Sequence, residues 1–387
     1  MEQVLTDLPN LLTINGLLHI SPNPMNFSGK ESFPMDLQET VQRLDKSDML
    51  SKIRLMPEHF KQAMAANEDV VIPYSSSDIA KIVIAGMGGS AISGDVIRCL
   101  AGATATVPVF VNRNYDLPAW VGADTLVIVS SYSGNTEESL AAYEQAQQAG
   151  ARMICITSGG RLGEDARSKG YPVFTLPPGY PPRTALVFLT VPLLKIFHAL
   201  GYIGEFSAAV EETCSVIEGF WSTYSPESDP KHNVPLLVAR QCEGLMPVIY
   251  SCSGLLEVAG VRWRGQFSEN AEVLAFSNTF PEMNHNEIVG WGLHPELDKA
   301  MQVIYLRDRA DNERNQKRMD IVREIIETTS NPVLEIWSSG ESSLARLFST
   351  IFIGDLASYY AALVNGVDPT PVDTIDYLKK SLAGTKG

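Results

Sequence analysis

The sequence has few basic residues and no long apolar run. Lysine and arginine together number 30 against 45 aspartate and glutamate, which gives a net charge of −15. Nucleic-acid binding needs a basic surface, so we expect no DNA or RNA partner. The longest uncharged apolar run covers residues 184–194, whereas a helix needs about 20 apolar residues to cross a bilayer. We therefore expect no membrane partner.

Cysteine is also scarce, and its placement argues against disulfides and metal sites. The five cysteines are odd in number and contain no Cys-x-x-Cys pair, which is typical of buried, reduced thiols in the cytosol. The start of the chain carries Glu2 and Asp7 in place of the basic segment of a secretory signal. No group of His, Cys and Asp has metal-site spacing, and we interpret His198, His232 and His294 as structural. These features predict a cytoplasmic protein without a metal or cofactor.

Short apolar runs alternate with helical patterns along most of the 387 residues. This alternation predicts an α/β fold with doubly wound parallel sheets in three αβα layers, and the length predicts two domains. The predicted strands cover residues 81–85, 107–111, 125–129, 153–156, 171–175, 246–250, 303–306 and 333–336. A strand, a Gly/Ser turn and a helix recur at 82–97 and at 246–262, which indicates a duplicated domain.

Composition and periodicity divide the chain into six predicted parts. The Ser-, Pro- and Asp-containing stretch before the second series of strands is the expected linker. The parts are an accessory segment (1–35), a helical region (36–72), a first domain with an anion site (73–220), a linker (221–233), a second domain (234–368) and a C-terminal helix (369–387).

Two turns that follow predicted strands are rich in glycine and hydroxyl groups. Gly88-Gly89-Ser90 follows the first strand, and Ser131-Tyr132-Ser133-Gly134-Asn135-Thr136 follows the third. Ligands of open α/β sheets bind beyond the carboxyl ends of the strands. Glycine lets the backbone approach an anion, and the helix that begins near Thr136 directs its N–H groups toward the same place. The turns therefore predict a site for a phosphate group that uses no lysine.

Two other interpretations of these turns stay open from the residues alone. Ser-Gly-Asn-Thr before two glutamates is also an ordinary helix N-cap. Gly86-x-Gly88-x-x-Ala91 after a strand also fits a dinucleotide fingerprint. The fingerprint requires an acidic residue at the end of the next strand, where this chain has Asn112-Arg113-Asn114. A phosphorylated ribose on Arg113 remains formally compatible with the sequence.

Two segments of the second half carry candidate catalytic residues. On a helix, Arg262, Gln266 and Glu269 lie on one face, next to a stripe that is expected to pack. The stripe consists of Ala259, Trp263, Phe267 and Asn270. The helix then presents a carboxylate at its end, while residues 281–287 place His285 in a polar loop.

Together these motifs resemble a known family. Residues 86–90 and 131–136 resemble the sugar isomerase (SIS) domain, and with 262–271, 281–287 and 376–380 they resemble the bifunctional phosphoglucose/phosphomannose isomerases. The interval of 16 positions from Glu269 to His285 matches that family's spacing. The resemblance implies two SIS domains with terminal helical extensions. It also implies sugar-phosphate contacts by Gly89, Ser90, Ser131, Ser133, Thr136 and Arg183, although an ordinary surface arginine is the alternative for Arg183.

The resemblance further implies an aldose–ketose isomerase. Glu269 is the expected base that moves a proton through an enediolate, and His285, donated by the partner in a homodimer, opens the sugar ring. Lys379, or its neighbour Lys380, is expected to steady the developing charge. The chain departs from the family at Glu272, where lysine is frequent and where a second carboxylate can raise the proton affinity of Glu269.

Two further hypotheses accompany the isomerase. The first is a non-catalytic SIS-type regulatory protein that binds a sugar phosphate and does not need Glu269. The second is a dinucleotide-dependent dehydrogenase, which predicts binding of NAD(P). The joint occurrence of Glu269 and His285 favours the isomerase.

Overall fold

The computed structural model of the chain describes residues 12–14, 18–20 and 36–384, which form two compact units. The five-stranded unit contains Arg54–Glu218 and Gly340–Arg346, and the six-stranded unit contains the residues up to Ile53, Gly219–Ser339 and the residues from Leu347 onward. The helix Ser207–Tyr224 crosses the boundary between them, so the first residues of the predicted linker 221–233 are helical. Apart from two short strands, the predicted accessory segment 1–35 lies outside the described residues.

Eleven strands occur within the described residues, and each of the eight predicted strands is among them. The strands are β1 Leu12–Ile14, β2 Leu18–Ile20, β3 Lys81–Ala85, β4 Val109–Asn112, β5 Thr125–Ser130, β6 Arg152–Thr157, β7 Val173–Thr175, β8 Met246–Cys252, β9 Phe276–Phe280, β10 Met301–Arg307 and β11 Leu334–Trp337.

Fourteen α-helices occur in the same residues. They are α1 Leu37–Leu44, α2 Met49–Arg54, α3 Met56–Ala65, α4 Gly88–Ala101, α5 Glu137–Gln148, α6 Gly160–Ser168, α7 Leu186–Ala199, α8 Ser207–Tyr224, α9 Val234–Gln241, α10 Glu257–Ala271, α11 Pro295–Asp298, α12 Glu313–Ile326, α13 Ser343–Val364 and α14 Asp373–Gly384.

The sheet of the five-stranded unit is parallel throughout and has the order β4-β3-β5-β6-β7. Its central strands β3 and β5 are apolar runs that are buried along almost their whole length, as strands covered by helices on both faces must be. The order reverses between β3 and β5, so their carboxyl ends flank the crevice in which doubly wound sheets bind ligands. The predicted doubly wound fold is confirmed.

The sheet of the six-stranded unit has the order β1-β2-β11-β10-β8-β9. Strands β8 to β11 are parallel and repeat the order of β3 to β6 in the other sheet. Strand β2 pairs antiparallel with both β1 and β11, so β1 and β2 extend the sheet at that edge. The sequence analysis did not predict β1, β2 or β9, since two of these strands have only three residues and β9 is interrupted by Ser277 and Asn278.

Helix α13 is the buried centre of the six-stranded unit. By length and composition alone it is long and apolar enough to cross a membrane, but nearly all of it is buried inside the protein. It packs against α10, where the indole N–H of Trp263 donates to the carbonyl oxygen of Thr350 at 2.9 Å. The indole lies against Gly354, where a Cβ atom would overlap the ring. Gly354 is thus required for the close packing of α10 on α13.

We predict that Gly354→Ala lowers the free energy of unfolding by about 1–3 kcal/mol, the usual cost of overpacking a core. The added methyl group meets the Trp263 ring, which is itself completely buried. Gly265→Ala on α10 is the matched control, because a Cβ atom there meets nothing within 4 Å. The control should stabilise the protein by roughly 0.5–1 kcal/mol, since glycine weakens a helix interior. Urea denaturation of both variants measures the difference, and equal midpoints would contradict the role of Gly354.

Candidate active site

The two hydroxyl-rich turns of the five-stranded unit lie side by side. They follow the adjacent strands β3 and β5, and a Cβ atom on Gly86 would lie only 2.8 Å from the carbonyl oxygen of Ser130. Only glycine permits this approach of the two backbones. Ser90, in the first turn of α4, and Ser131, directly after β5, are buried, whereas Gly89 is partly exposed. The structure thus brings together both turns that the sequence singled out.

Hydrogen bonds within the second turn fix its shape. The hydroxyl of Ser131 donates to Thr136 Oγ1 at 3.0 Å and accepts the N–H of Gly134 at 3.1 Å. Gly134 has a φ of +69°, and a Cβ atom there would overlap the carbonyl oxygen of Gly159. Ser133 is exposed, and its hydroxyl accepts the N–H of Asn135. These hydrogen bonds fix the shape of the turn, while the side chain of Ser133 faces solvent.

The start of helix α5 supports the anion interpretation over the plain N-cap. Thr136 occupies the N-cap position, but its side chain makes no capping hydrogen bond. Its hydroxyl accepts from Ser131 instead. The first N–H groups of α5 consequently have no side-chain cap, and these groups carry the positive end of the helix dipole. This arrangement suits a bound anion.

Arg183 is buried beside the first turn. It belongs to a short 3-10 helix, Pro182–Thr184, and only 6% of it is exposed. A Cβ atom on Gly89 would lie 2.7 Å from the carbonyl oxygen of Pro182, so this helix packs directly on the turn. The alternative of an ordinary surface arginine is therefore wrong. Gly89, Ser90, Ser131, Ser133, Thr136 and Arg183 belong to three adjoining segments of one unit.

Tyr132 connects these segments. Its hydroxyl donates to the carbonyl oxygen of Pro177 at 2.7 Å and accepts the N–H of Tyr180 at 2.9 Å. Burial raises the pKa of Tyr132, so the phenol keeps the proton that it donates. The segment before Arg183 is tied to the hydroxyl-rich turn in this way. The sequence analysis assigned no role to Tyr132, since its partners lie more than 40 residues away.

The position that a dinucleotide site needs is occupied by an ion pair. At the end of β4, the guanidinium of Arg113 pairs with the carboxylate of Asp95 on α4. The side chain of Asn112 donates to the carbonyl oxygen of Asn114 at 2.9 Å. Both candidate ribose-binding side chains thus make contacts within the protein, which disfavours the dinucleotide hypothesis.

In the six-stranded unit, helix α10 is fixed by a buried carboxylate. Asp355 on α13 accepts two hydrogen bonds from Arg262, at 2.9 and 2.7 Å, and one from Gln266 at 3.0 Å. Burial raises the pKa of Asp355, and the neighbouring guanidinium of Arg262 opposes that effect. The predicted packed stripe is confirmed, because all four of its side chains are buried. Arg262 and Gln266, which share a second face of the helix beside this stripe, are buried as well. The sequence analysis did not predict their burial.

Glu269 lies in the last turn of α10 and is partly buried. The two residues that follow it are held by α13 and by the residue directly after that helix. Asn270 donates to the hydroxyl of Ser358 at 2.9 Å, and Asn365 donates to the carbonyl oxygen of Ala271 at 3.3 Å. Glu272 ends the helix in a left-handed conformation and is exposed, so its side chain leaves the helical path that Glu269 follows. The position of Glu269 is thus set by its neighbours.

His285 is exposed and lies on a segment that the protein holds firmly. It ends a 3-10 helix, Glu282–His285, and its imidazole makes no hydrogen bond to any of the described residues. The carboxylate of Glu287 accepts from the hydroxyl of Tyr250 and from the side-chain amide of Asn278. Met283 is completely buried in the core. The segment is anchored on both sides of an imidazole that points to solvent.

The sheet separates Glu269 from His285 within one chain. Helix α10 packs on the face that carries Ile249 and Ser251, because these side chains lie closest to Gly260. The segment of His285 packs on the other face, where Tyr250 binds Glu287. Successive side chains of a strand point to opposite faces. The elements that carry the two residues are therefore on opposite sides of β8, and the structure does not bring these residues together in one chain.

Lys379 and Lys380 both lie on α14 and are both exposed. Every side chain described in this helix is exposed, including the apolar residues at helical spacing, Ile375, Leu378 and Leu382. The structure therefore does not distinguish between the two lysines. An amphipathic helix with an uncovered apolar side is typical of a surface that a partner covers.

Within the described residues, no three His, Cys, Asp or Glu side chains are grouped so that they can hold a metal ion. The five cysteines all lie within the described residues and form no disulfide bond. Four of them are buried, as expected, but Cys99 is partly exposed.

Known proteins resemble both halves of the chain. The family described as SIS domain matches residues 75–166, and the family described as bacterial phospho-glucose isomerase C-terminal SIS domain matches residues 231–382. A protein of Caldicellulosiruptor bescii, named bifunctional phosphoglucose/phosphomannose isomerase, is 41% identical over 87% of this chain and 100% of its own length. A protein of the same name from Aquifex aeolicus is 35% identical over 79% of this chain and 93% of its own length.

A solved structure agrees with the fold. The C-terminal domain of glucosamine-fructose-6-phosphate aminotransferase from Francisella tularensis has a TM-score of 0.64 and covers 84% of this chain and 98% of its own length. Its sequence identity is only 16%, so the likeness concerns the fold alone.

The hydroxyl-rich turn gives a prediction for anion binding. We expect inorganic phosphate to raise the melting temperature of the parent protein, and Gly134→Ala to abolish this rise, because a methyl group at a φ of +69° overlaps Gly159 and opens the turn. Gly122→Ala, where a Cβ atom meets nothing within 4 Å, is the control and should keep the rise. Thermal denaturation with and without phosphate measures both. An unchanged phosphate effect in Gly134→Ala would place the anion elsewhere.

Proposed function

The chain belongs to the family of bifunctional phosphoglucose/phosphomannose isomerases, and from this premise we propose that it interconverts glucose 6-phosphate and mannose 6-phosphate with fructose 6-phosphate. The observation that supports the proposal most strongly is the uncapped start of α5 beside two hydroxyl-rich turns, which offers a phosphate group N–H and O–H donors. The proton in this reaction moves within the substrate, so the proposal invokes no cofactor or metal. The five cysteines, none of which is in a disulfide bond, are compatible with a cytoplasmic enzyme.

In this proposal the five-stranded unit holds the phosphate. Gly89 supplies a close backbone approach, and the hydroxyl groups and the helix start supply donors. The buried residue Arg183, on the 3-10 helix that packs on the first turn, adds a positive charge to this unit. The side-chain donors are Ser90, Ser133 and Thr136, together with Ser131 once its O–H turns from Thr136 to the phosphate.

Glu269 is the proposed base. Its carboxylate takes the proton from C2 of the open-chain aldose, and the C1 carbonyl oxygen receives the negative charge as the enediolate forms. The hydroxyl proton on the C2 oxygen passes to the C1 oxygen, and the same carboxyl group returns the carbon-bound proton to C1, which gives the ketose. One acid–base group that serves both carbons needs a fixed position, and the bonds of Asn270 to Ser358 on α13 and of Ala271 to Asn365 directly after that helix support such a position.

His285 is the proposed group for ring opening, and we propose that a second copy of the chain donates it. An imidazole can exchange a proton with the ring oxygen, and the imidazole of His285 is exposed. The sheet separates it from Glu269 of its own chain. Several apolar side chains that follow it are more than half exposed, namely Val289, Leu293 and Leu297. Such exposure is typical of a protein interface, which supports a homodimer.

Lys379 is the proposed residue that steadies the charge of the enediolate. Its ammonium group lies on the exposed helix α14, so no contact within the described chain withholds it from the substrate.

We predict that Glu269→Gln abolishes the exchange of the C2 proton of glucose 6-phosphate with solvent deuterium. The amide has the shape of the carboxylate but does not accept a proton near neutral pH, so substrate binding should persist. Proton NMR of the substrate in deuterium oxide measures the exchange. Glu272→Gln removes the same charge from an exposed residue three positions away and is the matched control.

An unchanged exchange rate in Glu269→Gln would exclude Glu269 as the base. If instead the parent protein binds the sugar phosphate without any exchange, the non-catalytic regulatory hypothesis takes its place.

We also predict that two nearly inactive variants restore activity to each other. When Glu269→Gln and His285→Asn are mixed after dissociation, about half of the dimers are mixed, and each of these has one site with both residues intact. Activity should therefore rise to about a quarter of the parent value. A coupled assay for fructose 6-phosphate measures it. A mixture as inactive as its components would mean that each chain uses its own histidine.

A further inference from the structure

The carboxylate of Glu287 is the point at which the segment of His285 is attached to the sheet. Tyr250 on β8 and Asn278 on β9 both donate to it, each to a different oxygen. The side chain of Asn286 connects the anchored Glu287 to the residues before the histidine. Its Oδ1 atom accepts the backbone N–H of Glu287, and its Nδ2 group donates to the carboxylate of Glu282. The histidine thus lies only two residues before the anchored carboxylate.

The anchor is rigid because Tyr250 is part of the core. Its side chain is completely buried and packs edge-on against Phe280 and Tyr305, with ring centroids 6.0 Å away from each. Burial and the nearby carboxylate of Glu287 raise the pKa of Tyr250 well above its ordinary value, so the phenol remains a donor at any physiological pH. A donor that neither moves nor loses its proton is suited to fixing a loop.

We propose that Tyr250 and Asn278 act through Glu287 as positioning residues for His285. The inference rests on the proposed function of His285 in ring opening. A histidine that serves a site on another chain has no partner within its own unit to orient it, so the backbone that carries it must be fixed instead. Proton transfer to the ring oxygen depends steeply on distance and angle, and a displacement of about 1 Å is enough to slow it.

The chain contains a matched control for this idea. Tyr305 is also completely buried and belongs to the same aromatic group as Tyr250. Its hydroxyl has no hydrogen-bond partner among the described residues. Tyr250→Phe and Tyr305→Phe therefore remove the same atom from the same core, but only the first removes a hydrogen bond to Glu287.

The test measures the deuterium isotope effect at C2 of glucose 6-phosphate together with kcat/KM, and uses His285→Asn as a reference. Ring opening precedes removal of the C2 proton. When ring opening and ring closing both become slow compared with proton removal, nearly every opened sugar goes on to product. The step that breaks the C2–H bond then no longer limits kcat/KM, so the isotope effect falls toward one. We expect Tyr250→Phe to lower kcat/KM roughly tenfold and to reduce the isotope effect, as His285→Asn does. Tyr305→Phe should retain the parent values of both.

Three outcomes would overturn the inference. The first is that Tyr250→Phe does not differ from Tyr305→Phe, which would show that the hydroxyl does not matter. The second is that Tyr250→Phe lowers kcat/KM with an unchanged isotope effect, as partial unfolding of the enzyme would. If His285→Asn itself leaves the isotope effect unchanged, the proposed role of His285 fails and the inference fails with it. Asn278→Ala removes the other donor to Glu287 and repeats the test should Tyr250→Phe not fold.

Discussion

The alternation of side chains along β8 constrains the whole arrangement of the six-stranded unit. Ile249 and Ser251 face α10, and Tyr250 between them faces the segment of His285. The side chains of a strand point either to one face of the sheet or to the other. Glu269, on a helix that covers one face, therefore cannot meet His285, on a segment that covers the other face, through the sheet. If both residues serve one substrate, as the proposed reaction requires, a second copy of the chain must supply one of them. Dimerisation is then a consequence of the fold rather than an addition to it.

The two sheets share the strand order of an ancient duplication, but their crevices differ in chemistry. Ser131 directly follows β5 in the first sheet, and Asp308 directly follows β10, the corresponding strand of the second. Asp311 lies close by, where burial raises its pKa to about 6. Carboxylates at this position repel a phosphate group, whereas a serine hydroxyl is able to donate to one. The second crevice is therefore less suited to a phosphate group than the first, which agrees with the proposal of one phosphate site per chain.

The sequence predicted the parts that local patterns encode. Apolar runs identified eight strands, and glycine with hydroxyl groups identified the turns after β3 and β5. Strand β9 was missed because Ser277 and Asn278 interrupt its apolar pattern, although Asn278 is needed to hold Glu287. The attachment of Glu287 to Tyr250 joins residues 37 positions apart, and that of Arg262 to Asp355 joins residues 93 apart. Side chains at such separations leave no periodic signal, so only the folded chain reveals what positions Glu269 and His285.

The buried ion pair of Arg262 and Asp355 is better explained by its effect on the position of α10 than by a contribution to the stability of the protein. Removing two charges from water costs several kcal/mol, and well-packed apolar residues often replace such a pair without loss. Apolar contacts alone, however, fix the rotation of a helix poorly, and a slip of one residue turns each side chain by about 100° around the axis. Asp355 accepts from both Arg262 and Gln266, and Ser358 accepts from Asn270, so a slipped helix would leave several buried polar groups without partners. The polar contacts therefore allow only one rotation of α10 about its axis, and this rotation fixes the direction in which the side chain of Glu269 leaves the helix. An acid–base group that must reach two neighbouring carbons depends on that restriction more than on any gain in stability.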